Sequence, residues 1–191
     1  MNLQHLNVKI SADKAPVELG DAIPAFHRWI QDNVCEELLI DVVDYRHVDR
    51  GPGVMLIGHE ASYSLDRGPE NRLGLLYNRK AKVHGSTQQK LERAFRAAFE
   101  ACLRLEEEPA LQGKLHFNAG SCEAIVNDRL LVPNTAETWK ALQPEFERFF
   151  RELFGGRDFR MERTEDPRER FGIRFSTPTP IDVRTLLSAR V

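Results

Sequence analysis

Apolar residues recur along this chain with two periods, and their order lays out the elements. Residues 6–11 alternate, with Leu6, Val8 and Ile10 apolar between Asn7, Lys9 and Ser11, which predicts a short first strand before a connection containing Pro16. Ile23, Phe26, Ile30 and Val34 then recur at helical spacing behind Asp21 as a cap. Pro24 falls early enough in this helix to be tolerated, and Trp29 lies near the apolar face. The most ordered passage, 37–60, comes next. Residues 38–48 are rich in β-branched and aromatic side chains, 49–53 read Asp-Arg-Gly-Pro-Gly, and 54–57 resume the apolar pattern. That text predicts a hairpin with a five-residue loop. Residues 61–65 extend its second strand toward a turn over 66–71, and a third strand over 72–79 completes a meander.

Ser86 with Gln89 three residues on is a capping-box pair. Behind it Leu91, Ala94, Phe95, Ala98, Cys102 and Leu105 form the apolar stripe of a helix that ends before Pro109. Residues 114–118 and 123–132 read as strands around the turn Ala119-Gly120-Ser121, closed by Pro133. Asn134 with Glu137 starts another helix, whose buried face is Trp139, Leu142, Phe146, Phe149, Phe150 and Leu153. Pro144 should kink or restart it, and Gly155-Gly156 stops it. A second hairpin over 159–163 and 171–176 turns at Asp166-Pro167, and a short last helix starts at Thr179-Pro180-Ile181-Asp182.

The two halves, 1–112 and 113–191, repeat one order: strand, amphipathic helix, hairpin, closing helix. The passage 26–60 has its counterpart in 149–176. The expectation is an α+β fold of pseudo-duplicated ferredoxin-like β-α-β-β units, with mostly antiparallel sheet and helices packed on one face, in a single compact domain over 1–191.

Charge narrows the partners. A formal net charge of -2 provides no basic field for a phosphate backbone, so nucleic acid is disfavoured. No basic stretch followed by an apolar run opens the chain, and no apolar run approaches the roughly 18 residues of a membrane span. A cytoplasmic protein without a membrane partner is expected. Cys35, Cys102 and Cys122 are far apart and odd in number, which suits a reducing compartment and small buried side chains better than a disulfide framework.

Candidate chemistry gathers on the 41–60 hairpin. Pairing Val48 with Val54 sets His47 opposite Met55, Tyr45 opposite Ile57 and Val43 opposite His59. Asp41, Tyr45, His47 and His59 then share one sheet face, with Asp41 on the diagonal from His59, where it can orient the imidazole. A one-residue slip would move the set to the other face, and a wet sheet face carrying a polar pair is the alternative. Asp41, His47, His59 and Glu60 are the only metal donors gathered in one region. No ligand motif accompanies them, so neither metal nor cofactor is expected. His27 reads as an edge-of-core residue. Asn78-Arg79-Lys80-Ala81-Lys82 can meet an anion at the Ser86 helix start, or be a solvated strand end. Glu106-Glu107-Glu108 reads as solvated surface. No serine or cysteine stands in a nucleophile motif.

Two functions follow. The first is a non-catalytic cytoplasmic protein that self-associates or binds another protein, or a ligand, through sheet edges and half-apolar faces. The alternative is a small enzyme or binder of a small anionic ligand on the 41–60 face. There His59 is the acid or base, Asp41 its orienter and Tyr45 a catalytic neighbour, with Arg46, His47, Arg79 and Lys80 contacting the ligand.

Overall fold

The opening alternation runs further than its first six residues suggest. β1 spans Leu6–Lys14 and lies inside the sheet, paired on one side with β5 (Leu73–Arg79) and on the other with β6 (His116–Val126). The computed structural model describes residues 3–68 and 71–188. The remaining elements are α1 (Ala22–Asp32), β2 (Leu39–Asp44), β3 (Val54–Gly58), β4 (Ala61–Arg67), α2 (Thr87–Glu107), α3 (Ala136–Leu153), β7 (Arg160–Arg163), β8 (Gly172–Ser176) and α4 (Val183–Ser188). The eight strands form one sheet in the order β2-β3-β4-β5-β1-β6-β8-β7, and every neighbouring pair is antiparallel. The architecture is α+β.

Period-two patterning decides which face is covered. Val8, Tyr77, Tyr63 and Leu56 stand in register across four strands, and all are buried. Their neighbours on the opposite face, Lys9, Leu76, Ser64 and Met55, mix charge, hydroxyl and half-exposed apolar groups. α2 packs over β1, β5 and β6, α1 over β2 and β3, and α3 reaches β8 through Phe150, whose ring stacks on Phe175 at 3.4 Å. Phe95, Phe146, Phe149 and Phe154 fill in around that pair, so the core is densest where α2 and α3 meet the second half of the sheet.

The structure corrects several sequence expectations. Residues 61–67 do not extend β3. They form β4, because the chain reverses at His59-Glu60, with Lys80 and Ala81 N–H donating to the Glu60 carbonyl at 2.8 and 3.0 Å. Ala119-Gly120-Ser121 is no hairpin turn. β6 is one strand, and the three residues bulge out between the pairings Ile10–Cys122 and Ser11–Asn118. The 177–181 segment satisfies the bulge backbone: Ala119 N–H donates to the Ile181 carbonyl, and Thr177 N–H to the Gly120 carbonyl. β6 ends at Val126, and Asp128 starts a turn by accepting from Leu131 N–H, so no strand continues to 132. α3 continues as one helix through Pro144, its apolar side held by Leu142, Phe146 and Phe150 in the core. The expected turn over 66–71 includes Pro69 and Glu70, which lie outside the described residues.

The acidic run 106–108 is solvated surface only at Glu107, while Glu106 is half-buried and Glu108 buried. Glu106 accepts the Phe117 N–H, Glu107 pairs with Arg184 at 2.7 Å, and buried Glu108 binds Arg28 and accepts the Trp29 indole N–H at 2.8 Å. Three consecutive carboxylates thus tie the end of α2 to β6, α4 and α1.

Candidate functional site

The hairpin register differs from the count across the loop. Val43 lies opposite Met55 and Asp41 opposite Ile57, a four-residue displacement from the expected pairing. Its cause is local. Asp44 takes the Arg46 guanidinium in a bidentate pair at 2.7–3.0 Å and also accepts the Arg46 backbone N–H, which ends β2 at Asp44. Residues 45–53 then close the loop, with Tyr45 N–H on the Gly53 carbonyl at 2.7 Å. Gly53 is required there: its φ is +65°, and a Cβ would lie 2.2 Å from the Leu65 carbonyl oxygen.

The predicted site residues therefore scatter. Asp41 is exposed and its carboxylate accepts the Val42 N–H; His59 is exposed in the β3–β4 turn. No ion pair joins the two among the described residues. Tyr45, Arg46 and His47 belong to the loop, and Arg46 is occupied by Asp44, which holds the Asp44 carboxyl down at about 2. The Lys80 ammonium donates to the Gly58 carbonyl at 2.5 Å. Arg79 is different. It points from the end of β5 into a cleft of about 470 Å³ between α2, β4–β5 and the segment that follows α1.

Three backbone devices build that cleft. α1 terminates at Asn33, whose left-handed φ of 53° turns the chain, and Val34 N–H closes the end on the Trp29 carbonyl. The turn carries Cys35, Glu36 and Glu37 to the mouth, where His59 N–H donates to the Leu38 carbonyl at 2.8 Å and pins the segment beside the β3–β4 turn. Tyr63 and Tyr77, directly opposite one another on β4 and β5, supply the floor, with ring centroids 5.4 Å apart. α2 supplies the far wall with Arg93, Arg96, Ala97, Glu100, Ala101 and Arg104, residues spaced for one side of a helix.

Most charges in the cleft are already paired. Arg79 binds Glu60 at 2.6 Å, Arg96 binds Glu100 at 2.9 Å, and Arg93 stands 4.0 Å from Glu36. Arg104 enters no ion pair among the described residues. The Tyr63 hydroxyl donates to Glu37 Oε1 at 2.5 Å, while Glu37 Oε2 is buried and has no hydrogen-bond partner among the described residues. Burial, reinforced by Cys35 and Glu37, pushes the Tyr63 phenol far above the usual range, and burial likewise raises Tyr77. The Cys35 thiol is pushed up by burial, against the opposing pull of Tyr63.

A nucleophilic cysteine needs a lowered pKa, and a general base needs a group that titrates near neutrality. Here the thiol and both phenols stay protonated, and no histidine is among the lining residues. Beyond the thiol and the phenols, the cleft offers a bound molecule four glutamates and four arginines. Among the described residues no cluster of histidine, cysteine, aspartate or glutamate could hold a metal ion, and no helix is long and apolar enough to cross a membrane.

Of the cleft residues, the sequence points to Arg79 as an anion contact and to Glu60 as a possible metal donor. The i, i+3, i+4 run Arg93, Arg96, Glu100, Arg104 was a readable signal, since it marks one polar flank of the best-defined helix. Comparison of the chain with family models, with curated proteins and with solved structures gave no match.

Proposed function

We propose that this chain is a non-catalytic cytoplasmic binding protein that holds a small anionic molecule in the cleft between α2 and β4–β5, and that it self-associates. The observation that carries the ligand reading is the cleft itself: about 470 Å³, floored by two tyrosines and walled by Arg93, Arg96 and Arg104. Concave sites of this size with a few convergent polar groups are where small molecules bind, and a guanidinium is the side chain best matched to a carboxylate or phosphate.

Self-association draws support from the edge strand β2, which exposes Ile40 at 53%, from exposed Leu38 just before it, and from the helix-free face, where Val43, Met55, Ile57 and Leu76 are half-exposed. The finer fold reading is also a proposal. The connectivity β1-α1-β4-β5 with sheet order β1-β5-β4, and β6-α3-β7-β8 with order β6-β8-β7, supports two ferredoxin-like β-α-β-β units, with β2–β3, under α1, inserted into the first.

The ligand reading is tested by native mass spectrometry of freshly purified protein against its denatured mass, followed by calorimetric titration with citrate and with inorganic phosphate. An anion retained or bound by the wild type, and bound at least about tenfold more weakly by Arg104→Glu, is the expected result. Binding that Arg104→Glu leaves unchanged would place the anion elsewhere and overturn the reading.

A further inference from the structure

The two ends of the sheet are unlike. β2 and β7 are its edge strands, and among the described residues no strand lies beyond either. β2 reads Leu-Ile-Asp-Val-Val-Asp, with two aspartates and no cation, whereas β7 reads Arg-Met-Glu-Arg and follows exposed Arg157. Asp41 and Arg160 are both exposed, and neither enters an ion pair among the described residues. Apolar side chains accompany the charges at each end. Ile40 and Leu38 are exposed at β2, and Phe159 and Met161 are half-exposed at β7.

Eight strands with only antiparallel neighbours leave β2 and β7 running in opposite directions. A second copy set beside the first along the sheet therefore presents its β2 antiparallel to β7, with both helix layers on one face. Two alternations then narrow the register. Tyr45 N–H donates inward to the Gly53 carbonyl and Thr164 N–H inward to the Gly172 carbonyl. Val42 and Asp44 on one edge, and Phe159 and Met161 on the other, thus turn their backbone groups outward. The outward Val42 N–H is held only by the Asp41 carboxylate, at 2.8 Å. Val42 stands on the helix-covered face opposite Leu56, and Phe159 packs on Phe150 and Phe154 of that same face, while Asp41 and Arg160 belong to the helix-free one.

Val42 opposite Phe159 satisfies both alternations. It sets Asp41 opposite Arg160, Asp44 opposite Arg157 and Ile40 beside Met161. A slip of two residues, the smallest that keeps the faces matched, sets Asp41 opposite Glu162 in one direction and opposite Asp158 in the other. Pairing β2 with a second β2 instead gathers the aspartates of both copies on one seam.

We propose that copies of this chain join head to tail, the β2 edge of one adding antiparallel to the β7 edge of the next, with Asp41 opposite Arg160 and Val42 opposite Phe159. This inference rests on the reading that the chain self-associates and adds which edges meet. On docking, the Asp41 carboxylate passes to Arg160 and the Val42 N–H to the Phe159 carbonyl. Unlike edges make each contact, so every added copy leaves one β2 and one β7 free and assembly continues beyond two.

The test uses the full chain, with light scattering behind size exclusion over about a hundredfold range of concentration. The wild type is expected to pass two copies as concentration rises. Asp41→Arg and Arg160→Asp, each alone, weaken association at least about tenfold, and the chain carrying both substitutions, or an equal mixture of the two single variants, recovers it. Melting followed by circular dichroism checks that each variant keeps the fold. Association that Arg160→Asp leaves unchanged, a wild type that stops at a dimer, or a double variant that stays as weak as the single ones overturns the head-to-tail contact and leaves self-association in place. A wild type that is monomeric at every concentration overturns both.

Discussion

Lys9 shows how one residue can carry a conflict that its neighbours resolve. It stands on the helix-free face in the middle of the sheet, its ammonium 2.5 Å from Asp66 and 3.1 Å from the Gly74 carbonyl. Burial pushes its pKa down and Asp66 pulls it back up. With side-chain exposures of 15% and 12%, the pair is largely desolvated, which makes loss of one partner worse than loss of both. Asp66→Ala should therefore cost about 3–5 kcal/mol in urea unfolding by stranding a buried ammonium, whereas Lys9→Met combined with Asp66→Leu should return to within about 2 kcal/mol of wild type. A double variant as unstable as Asp66→Ala would show that the charge pair is not what holds this part of the sheet. Glu37 poses the same kind of conflict in the cleft, where one oxygen has its donor and the other does not.

At the scale of elements, α2 does the most. Its first turn is closed by the reciprocal bonds of Ser86 and Gln89, at 3.3 and 2.8 Å, and its last turn is tied to three other elements by Glu106, Glu107 and Glu108. One side buries Leu91, Phe95, Ala98 and Cys102; the flank beside it carries the arginines of the cleft. A helix fixed at both ends holds those arginines at a constant height above Tyr63 and Tyr77. Because the cap acts on the helix end and touches nothing in the cleft, Ser86→Ala should lower stability by about 1 kcal/mol without changing ligand affinity. Chemical unfolding measured alongside calorimetry separates the two, and an unchanged midpoint would mean the terminal glutamates alone secure the helix.

The whole molecule presents one covered and one helix-free face on a single eight-stranded sheet. β2 is an edge with apolar side chains in solvent, and natural sheets rarely leave such an edge unprotected in a monomer. The proposed self-association places a second copy there. Light scattering behind size exclusion should find a dimer or larger for the wild type and a monomer for Ile40→Lys, which puts a charge on the strand without touching the cleft. A monomeric wild type at working concentrations removes the self-association proposal and leaves the cleft unaffected.

The elements themselves were legible because their causes are local. The Ser86–Gln89 cap, the α2 stripe, the spacing of Phe146, Phe149 and Phe150 and the alternation of β1 each depend on residues a few positions apart, and each appears in the structure where the sequence puts it. The register of β2 on β3 did not, because Asp44 and Arg46 end the strand by a side-chain pair that no count of apolar positions contains. The bulge of β6 depends on the 177–181 segment, more than fifty residues away. Arg79 was visible as a cation near a helix start and Glu60 as a carboxylate of the hairpin, but their meeting in a cleft was not, since it assembles 34–37, 60, 63, 77–79 and 93–104 from five separate stretches. Sequence alone determined the helices and the apolar faces of the strands, because short-range sterics and burial periodicity decide those, while the ends of β3, β4 and β6 depended on turns and bulges. Only the tertiary structure decided where a ligand can sit, because that depends on which distant side chains the sheet order and the α2 crossing bring within reach of one another.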